Sequence, residues 1–421
     1  MVGVRTSLCL MLCSTVMLVA AAEPASANWP RWRGPDGTGH TTDTDLPVKF
    51  GSADVAWRTP LDGIGQSSPI IWENRLFVTT SKAVTDGVQR YVHCLAVDSG
   101  RVLWSTLIST TRGEAIHTMN THATSSCCTD GERVFAYFGQ GGIVCLDMEG
   151  KKQWFHDLGQ FGGPWGTAAS PVIVDNMVIQ NCDAQGDSYL IAYDKQRGKQ
   201  IWKTERRAKP RGGWGTPIMI QADNRRELVL NGEFGVCGYD PETGKELWFC
   251  RGFNGRGTPT PAVGLKENLL FVVNGKPGDI YAVQPGGRGD VTETRMAWHT
   301  RRGGDRDLPS PIYVGGYVFV VSMKGIATMY EAASGREIYK ARLGGNFSAS
   351  PIAAGGLIYI QSEEGAVVVV RPGKKLDIVA RNEIGSEAGE IFRASLAPNR
   401  GQLLARSSAA VYSIGKQSGG K

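Results

Sequence analysis

Apolar and polar residues alternate in short runs that recur along most of the chain. In the stretch 236–248 an alternating run meets a Pro-Glu-Thr-Gly turn, and a second short run follows and ends on Trp248. Gly244 suits the positive φ that such a turn needs, so the pattern predicts a β-hairpin. Similar hairpins are predicted at 96–104, 145–154, 192–202 and 330–339. No long helical periodicity interrupts them, which indicates many short strands joined by tight turns.

Two markers repeat with this pattern. A large aromatic residue ends each unit, and we expect it to pack against the neighbouring unit. These docking aromatics are Trp57, Trp104, Trp154, Trp202, Trp248, Trp298 and Tyr339. A small residue, usually followed by Pro, opens each unit, as in Ser68, Ser170, Thr216, Thr260, Ser310 and Ser350, whereas Cys127 and Leu396 take the Pro place in two units. Four strand-like runs in a period of roughly 40–50 residues are typical of a propeller blade.

Eight opening markers predict an all-β, eight-bladed propeller of four-stranded antiparallel blades. The last unit has room for only three strands, and the run 54–60 precedes the first marker. We therefore expect the N-terminal strand to complete the C-terminal blade and close the ring, which leaves no open sheet at either end. The predicted propeller is one domain, 54–416. Residues 28–53 form an N-terminal extension that we expect to pack on it as a cap, and 417–421 a disordered tail.

Residues 1–27 have the features of a secretory signal peptide. Arg5 supplies a positive start, Leu8–Val19 an apolar core too short to span a bilayer, and Ala25-Ser-Ala27 a cleavage site. These features predict an exported protein, periplasmic or extracellular, with no transmembrane segment.

Charge and cysteine content exclude several classes of function. The net charge of +6 is spread without a basic block, so we expect no nucleic-acid binding. Two of the nine cysteines lie in the signal peptide, which leaves an odd number, so a monomer, the expected state, has at least one free thiol. No Cys-x-x-Cys spacing occurs, which argues against a zinc ribbon and against covalently attached haem.

The repeated Ala-x-Asp, Gly-Lys and Trp pattern resembles the tryptophan-docking repeats of quinoprotein alcohol dehydrogenases and of BamB-like propellers, the latter named for an outer-membrane protein assembly factor. The resemblance covers 54–414, and the runs 32–35 and 163–171 resemble secreted PQQ-binding-like propellers. It implies the propeller fold and a structural role for the docking aromatics. Among dehydrogenases of this type the cofactor is PQQ with calcium, whereas the BamB-like members imply a scaffold.

We expect the ligand-binding surface on one face of the ring. Loops between blades and loops from the second to the third strand of a blade share that face, and several pair glycine with Trp or Arg. The predicted binding residues are His122, Trp165, Trp214, Arg256, Arg306 and Asn346. Alternatively, the two tryptophans plug the channel and the two arginines are solvated loop charges.

The longest inter-blade loop is predicted at 105–123. It carries His117, Asn120 and His122, and long loops on a rigid scaffold often carry function. The histidine spacing suits a metal poorly, so no metal site is expected. The dehydrogenase resemblance also implies a vicinal disulfide between Cys127 and Cys128. Against it, neighbouring strand residues point to opposite faces, and Cys127 replaces a Pro within a strand.

A calcium site would draw on side chains such as Glu233, Asn274 and Asp305, but no motif groups them. No serine-hydrolase elbow or zinc-protease motif occurs, so no catalytic residue is predicted. The sequence favours an exported, non-catalytic binding or scaffolding module of the cell envelope, with a protein or envelope component as partner and no cofactor. The alternatives are a PQQ- and calcium-dependent oxidoreductase and a glycan- or peptide-binding propeller.

Overall fold

The computed structural model describes residues 28–207, 210–253, 256–274, 278–303 and 306–415. Within these ranges the strands form eight separate sheets. The prediction of an all-β, eight-bladed propeller with antiparallel four-stranded blades is therefore confirmed. The predicted signal peptide and C-terminal tail lie outside the described residues.

The first five blades follow one another in chain order after a leading strand, β1 (Val55–Pro60). Their strands are β2 (Ile70–Trp72), β3 (Arg75–Val84), β4 (Gly87–Ala96) and β5 (Val102–Thr111) in blade 1; β6 (Cys128–Thr129), β7 (Arg133–Tyr137), β8 (Ile143–Asp147) and β9 (Lys152–His156) in blade 2; β10 (Val172–Val174), β11 (Met177–Asn181), β12 (Tyr189–Asp194) and β13 (Gln200–Glu205) in blade 3; β14 (Ile218–Ala222), β15 (Arg225–Gly232), β16 (Gly235–Tyr239) and β17 (Glu246–Arg251) in blade 4; and β18 (Ala262–Gly264), β19 (Leu269–Val273), β20 (Ile280–Val283) and β22 (Met296–Thr300) in blade 5. Strand β21 (Gly289–Asp290) lies between β20 and β22 in the chain but belongs to the sheet of blade 4.

The remaining blades keep the same order. Their strands are β23 (Ile312–Val314), β24 (Tyr317–Val321), β25 (Ile326–Glu331) and β26 (Glu337–Arg342) in blade 6; β27 (Ile352–Ala354), β28 (Leu357–Gln361), β29 (Ala366–Arg371) and β30 (Asp377–Glu383) in blade 7; β31 (Ala397–Asn399), β32 (Gln402–Arg406) and β33 (Ala410–Ile414) in blade 8. Helical structure in the described part is one short α-helix, α1 (Thr292–Arg295), and two 3₁₀ turns, Ser52–Asp54 and Gly139–Gly141.

The ring is closed as the sequence predicts. Strand β1 pairs antiparallel with β33, from Val55 opposite Ile414 to Pro60 opposite Ala410, and becomes the fourth strand of blade 8. One sheet thus contains both the first and the last of the described strands. The propeller is held shut by the hydrogen bonds of that ladder.

Each docking tryptophan is held by a hydrogen bond as well as by packing. The indole N–H of Trp57 donates to the carbonyl of Val97, in the hairpin turn of the next blade, at 2.9 Å. Two residues later the hydroxyl of Thr59 donates to the carbonyl of Gly100 at 2.8 Å. The same pair of contacts recurs at Trp104, Trp202 and Trp298, whereas at Trp154 the imidazole Nε2 of His156 takes the place of the threonine hydroxyl.

The turn glycine has a steric reason. Gly100 has φ of +69°, and a Cβ there would collide with the ring of Trp57. Gly244 is equivalent, with φ of +71° and the ring of Trp202 against it. Only glycine meets both conditions, which explains why glycine and the aromatic recur together.

Blade 4 departs from this scheme. The indole N–H of Trp248 donates instead to the carboxylate Oε2 of Glu227, within its own blade, at 2.7 Å. The outer edge of blade 4 is paired in parallel by β21, with Trp248 opposite Gly289, so this sheet has five strands. Tyr339 also lacks the turn contact, and it packs half-buried against the core shared by blades 6 and 7. The predicted docking aromatics therefore comprise five tryptophans with the turn contact and two exceptions, Trp248 and Tyr339.

The N-terminal extension lies across one end of the central channel. Its backbone bonds to the start of blade 1 at Ile71, to blade 2 at Thr129 and to blade 7 at Ala353. Trp29 is fully buried in the core that joins blades 7, 8 and 1. This end carries the turns between the first and second strands of the blades, because Asn28 accepts a hydrogen bond from the turn residue Glu73.

Two buried arginines fasten the same segment to the innermost strands. Arg31 donates to the carbonyl of Pro217 in blade 4 at 2.8 Å, and Arg33 to that of Pro311 in blade 6 at 3.0 Å. Burial lowers the pKa of Arg31 to about 10 and that of Arg33 to about 9. Backbone carbonyls thus accept hydrogen bonds from the two buried guanidinium groups, and the N-terminal extension closes the channel at this end.

Candidate functional site

The opening marker of each blade forms a ring of hydroxyl groups around the channel. The backbone N–H of one marker donates to the hydroxyl oxygen of the marker in the next blade, at 2.8–3.0 Å. At the remaining step the direction changes, because the Thr260 hydroxyl donates to the Thr216 carbonyl at 2.8 Å. We call this set the hydroxyl ring; its members are Ser68, Ser126, Ser170, Thr216, Thr260, Ser310, Ser350 and Ser395.

A cavity of about 160 Å³ lies above the hydroxyl ring. It is on the face opposite the end of the channel that the N-terminal extension closes. Every member of the ring except Thr260 lines it, and Trp32 from the N-terminal extension contributes to its lining as well. The inter-blade loops supply the walls. The ring and the N-terminal extension therefore make this a blind pocket rather than an open channel.

The charged groups of the cavity are all basic. Arg256, Arg306 and Arg393 line it, together with His117, and no Asp or Glu is among its described lining residues. Arg393 forms an ion pair with Glu363 at 3.2 Å. Arg256 and Arg306 pair with none of the described carboxylates. The cavity thus carries more positive charge than the described residues neutralise.

Two tryptophans hold one of these arginines in place. The guanidinium carbon of Arg256 lies 4.2 Å from the ring centroid of Trp165 and 5.5 Å from that of Trp214. Trp214 is itself fixed by an indole N–H bond to the carbonyl of Gly166 at 3.1 Å. Burial, with the positive charges of Arg211 and Arg306, lowers the pKa of Arg256. These three side chains form the stack that we call the Trp165–Trp214–Arg256 cluster.

The loop that follows β5 supplies the wall next to Trp165. Its base is an ion pair between Arg90 and Glu114 at 2.5 Å, both nearly inaccessible to solvent. Further along, the Asn120 side chain donates to the Trp165 carbonyl at 2.6 Å, and the His117 ring packs on the Trp165 ring. The predicted loop of 105–123 is too long, because β5 continues to Thr111 and pairs with β4.

The structure brings together four of the six predicted binding residues, Trp165, Trp214, Arg256 and Arg306. His122 and Asn346 lie elsewhere: the His122 imidazole bonds to the carbonyl of Glu114 at 3.0 Å, and the Asn346 side chain bonds to Glu364 at 2.8 Å. Neither is among the residues that line the cavity.

Sequence reasoning missed several lining residues. His117 and Asn120 belong to the predicted long loop, but nothing in their spacing distinguishes them from His122. Trp32 and Arg393 belong to distant parts of the chain and had no repeat signal. The hydroxyl ring did have one, since a small hydroxyl residue opens each blade, but the pattern alone does not show what the hydroxyl bonds.

Cys127 and Cys128 are free thiols in the structure, as are the other five described cysteines. Cys127 packs in the core between blades 1 and 2, whereas Cys128 packs in the core between blades 2 and 3. Their side chains therefore point to opposite faces of the strand, and neither lines the cavity. Burial raises the pKa of the Cys127 thiol to about 12.

The cavity residues do not fit a calcium-bound quinone. Carboxylate oxygens, the usual strong ligands of calcium, are missing from its described lining, and the arginines oppose a divalent cation. Glu233 is paired with Arg211, Asn274 is fully buried away from the cavity, and Asp305 lies outside the described residues. Nowhere in the described ranges do three His, Cys, Asp or Glu side chains cluster as metal ligands would.

Among the described helices none is long and apolar enough to cross a membrane.

The architecture is similar to several solved propellers at low sequence identity. BamB from Moraxella catarrhalis matches with a TM-score of 0.59 at 16% identity, over 87% of this chain and 98% of that one. The quinohemoprotein alcohol dehydrogenase ADHIIG from Pseudomonas putida HK5 matches with a TM-score of 0.66 at 12% identity, over 94% and 81%. The designed protein Ika8 matches with a TM-score of 0.58 at 11% identity, over 85% and 98%. At such identities the likeness shows the fold.

Among curated proteins, none matches the sequence. A family model described as outer membrane protein assembly factor BamB matches residues 89–204, 186–277 and 276–379, which together span more than half of the chain. The chain therefore belongs to this family of BamB-like, PQQ-like β-propellers.

Proposed function

We propose that this protein is an exported, non-catalytic binding module of the cell envelope whose ligand, a group on a protein or another envelope component, enters the cavity above the hydroxyl ring. The observation that carries the proposal is the cavity itself, a blind pocket on a rigid ring, walled by tryptophan and arginine from five inter-blade loops and the N-terminal extension. Rigid, preformed pockets with an apolar wall and a few polar groups are typical of ligand sites.

The side chains around the cavity favour binding over catalysis. Its described lining offers no carboxylate and no thiol, so general acid–base and nucleophilic chemistry would have to rely on His117 or on a hydroxyl. The His117 Nδ1 already accepts the N–H of Met119 at 3.2 Å, and the ring hydroxyls carry backbone N–H bonds. For the same reason we propose that no calcium–quinone pair is bound here.

The similarity to BamB supports an envelope location, and the features of residues 1–27 support export. N-terminal sequencing of the protein recovered from the periplasm or culture medium is expected to begin at or near Asn28. Recovery of the intact Met1 chain in the cytoplasm would contradict the export proposal. We further propose a monomer, without affinity for nucleic acid.

Photo-crosslinking in the native host tests the binding site directly. A benzophenone amino acid at Met119, which lines the cavity, is expected to form a discrete adduct under illumination. The matched control replaces Glu242, an exposed residue in a hairpin turn on the opposite face. Equal crosslinking from both positions, or none from Met119, would count against this face as the binding site.

A second arm removes the aromatic wall. The double change Trp165→Ala and Trp214→Ala is expected to abolish the Met119 adduct, while the melting temperature shifts little because both side chains lie partly exposed at the rim. A large loss of stability would show instead that the two tryptophans are core residues that seal the channel.

A further inference from the structure

The hydroxyl ring presents hydrogen-bond donors to the cavity. A serine or threonine hydroxyl has one proton to donate and two lone pairs with which to accept. In the seven members that line the cavity, the oxygen already accepts a backbone N–H from the preceding blade, as the Ser126 oxygen does from Ser68 at 2.8 Å. Their own protons are therefore left for a ligand. Within the hydroxyl ring only Thr260, which does not line the cavity, donates its hydroxyl proton to a backbone carbonyl.

The arginines in the walls of the cavity also favour a ligand that accepts hydrogen bonds and carries negative charge. Arg256 and Arg306 have no partner among the described carboxylates, and Arg393 shares its charge with Glu363. Cationic groups close together repel one another, and a bound anion removes that repulsion. A neutral or cationic ligand would leave it in place.

The Trp165–Trp214–Arg256 cluster adds geometry to this charge. Stacking on the indole faces restricts the guanidinium plane and leaves its in-plane N–H groups for hydrogen bonding, the arrangement that suits a two-pronged contact with an oxyanion. The same indoles, with Trp32, Met119 and Leu308, offer apolar surface within the cavity.

We propose that the cavity recognises an oxyanion carried on a ring-shaped or otherwise apolar body. This inference deepens the proposed function and rests on it. Arg256 and the protons of the hydroxyl ring receive the oxyanion, and Trp32 and the cluster's indoles contact the body. The shared chemistry is a carboxylate, sulfate or phosphate group, and the small size of the cavity restricts the ligand to one ring or one terminal group of a larger molecule.

Calorimetric titration of the purified protein with four phenyl compounds tests this inference. Benzoate, benzenesulfonate and phenyl phosphate differ in the oxyanion, and benzamide is the neutral counterpart of benzoate. At least one oxyanion is expected to bind about tenfold or more tightly than benzamide, with affinity that falls as salt rises from about 0.05 M to about 0.5 M. The strongest of the three identifies the source of the oxyanion.

Matched variants assign the effect to the cavity. Arg256→Gln is expected to weaken the strongest ligand about tenfold or more, and Arg256→Lys to restore part of the loss, because it keeps the charge but not the planar fork. Arg336→Gln removes the same charge from an exposed side chain that pairs with Glu331 in a hairpin turn on the opposite face, so its affinity should stay within about twofold of the parent.

Three results would overturn the inference: benzamide binding as tightly as the strongest of the three oxyanions, no binding of any oxyanion, or unchanged affinity in Arg256→Gln with a parental melting temperature. The first leaves the cavity as a ligand site and removes only its preference for anions. A different result, the absence of a crosslink from Met119, would contradict the proposed function.

Discussion

Trp248 is the docking aromatic whose loss should cost most. Its side chain is fully buried in the core between blades 4 and 5. Its indole N–H is bonded to Glu227, whose carboxylate is also fully buried and has Arg225 at 2.6 Å on its other oxygen. Two contributions to the free energy of unfolding therefore depend on one side chain, namely the packed area of the indole and the donor that it gives to a buried charge.

The two contributions can be separated by two substitutions. Trp248→Ala removes a large aromatic from a core, for which about 3–5 kcal/mol is typical, and leaves one carboxylate oxygen without its donor, which costs about 1–3 kcal/mol more. Trp248→Phe keeps most of the packing and loses the N–H, so we expect about 1–3 kcal/mol. Urea unfolding followed by far-ultraviolet circular dichroism measures both, because tryptophan fluorescence itself changes with the substitution.

Trp298→Phe is the matched control. Its indole N–H donates to the backbone carbonyl of Ala332 at 3.0 Å, at a half-buried position, so the loss of that bond should cost under about 1 kcal/mol. A double-mutant cycle between Trp248→Phe and Glu227→Gln should show coupling of about 1 kcal/mol. A loss below 1 kcal/mol for Trp248→Ala, or equal losses for the two Phe variants, would refute the reasoning.

Three further predictions follow from the interior of the ring. Ser350→Ala leaves the N–H of Ser310 without its acceptor and should cost about 1–3 kcal/mol, whereas Ser350→Thr keeps the hydroxyl and should cost clearly less, as urea midpoints would show. The seven described thiols should not react with Ellman's reagent until urea unfolds the chain, since all seven are buried and burial raises the pKa of each, to about 12 for Cys127 and Cys145. Rapid labelling of the native protein would contradict this. Burial, with the charge of Arg406, lowers the pKa of His93 to about 4. As the pH falls from 6.5 to 4 the unfolded chain therefore binds a proton before the folded chain does, and the free energy of unfolding should fall by at most about 3 kcal/mol. His93→Gln should flatten that part of the plot of stability against pH.

The blade architecture could be predicted because it rests on local chemistry. A glycine that must lie flat against an indole, and a tight turn that needs positive φ, place the same residue types at the same interval in each blade. Ring closure could be predicted by counting strands. The last unit has room for only three strands, and one additional strand precedes the first unit. The face of the binding loops then followed from the alternation of strand direction, and it placed Trp165, Trp214, Arg256 and Arg306 near one another.

The details of the pocket depend on contacts between residues far apart in the chain. Whether Asn120 or His122 faces the cavity is decided by the buried pair of Arg90 and Glu114, which draws His122 towards Glu114. Arg393 reaches the loop carbonyl of Thr118, 275 positions away. The exception at Trp248 likewise depends on an ion pair within its own blade. No local pattern encodes such partners.

The sheet that joins β1 to β31–β33 has a consequence for biosynthesis. Strand β1 has its permanent neighbour only in β33, so the ribosome must synthesise all the blades between them before the ring can close. Until then, seven sheets stand with two open edges, and open edges invite association with other chains. A truncation that removes 397–415 should therefore yield aggregates rather than a smaller soluble propeller.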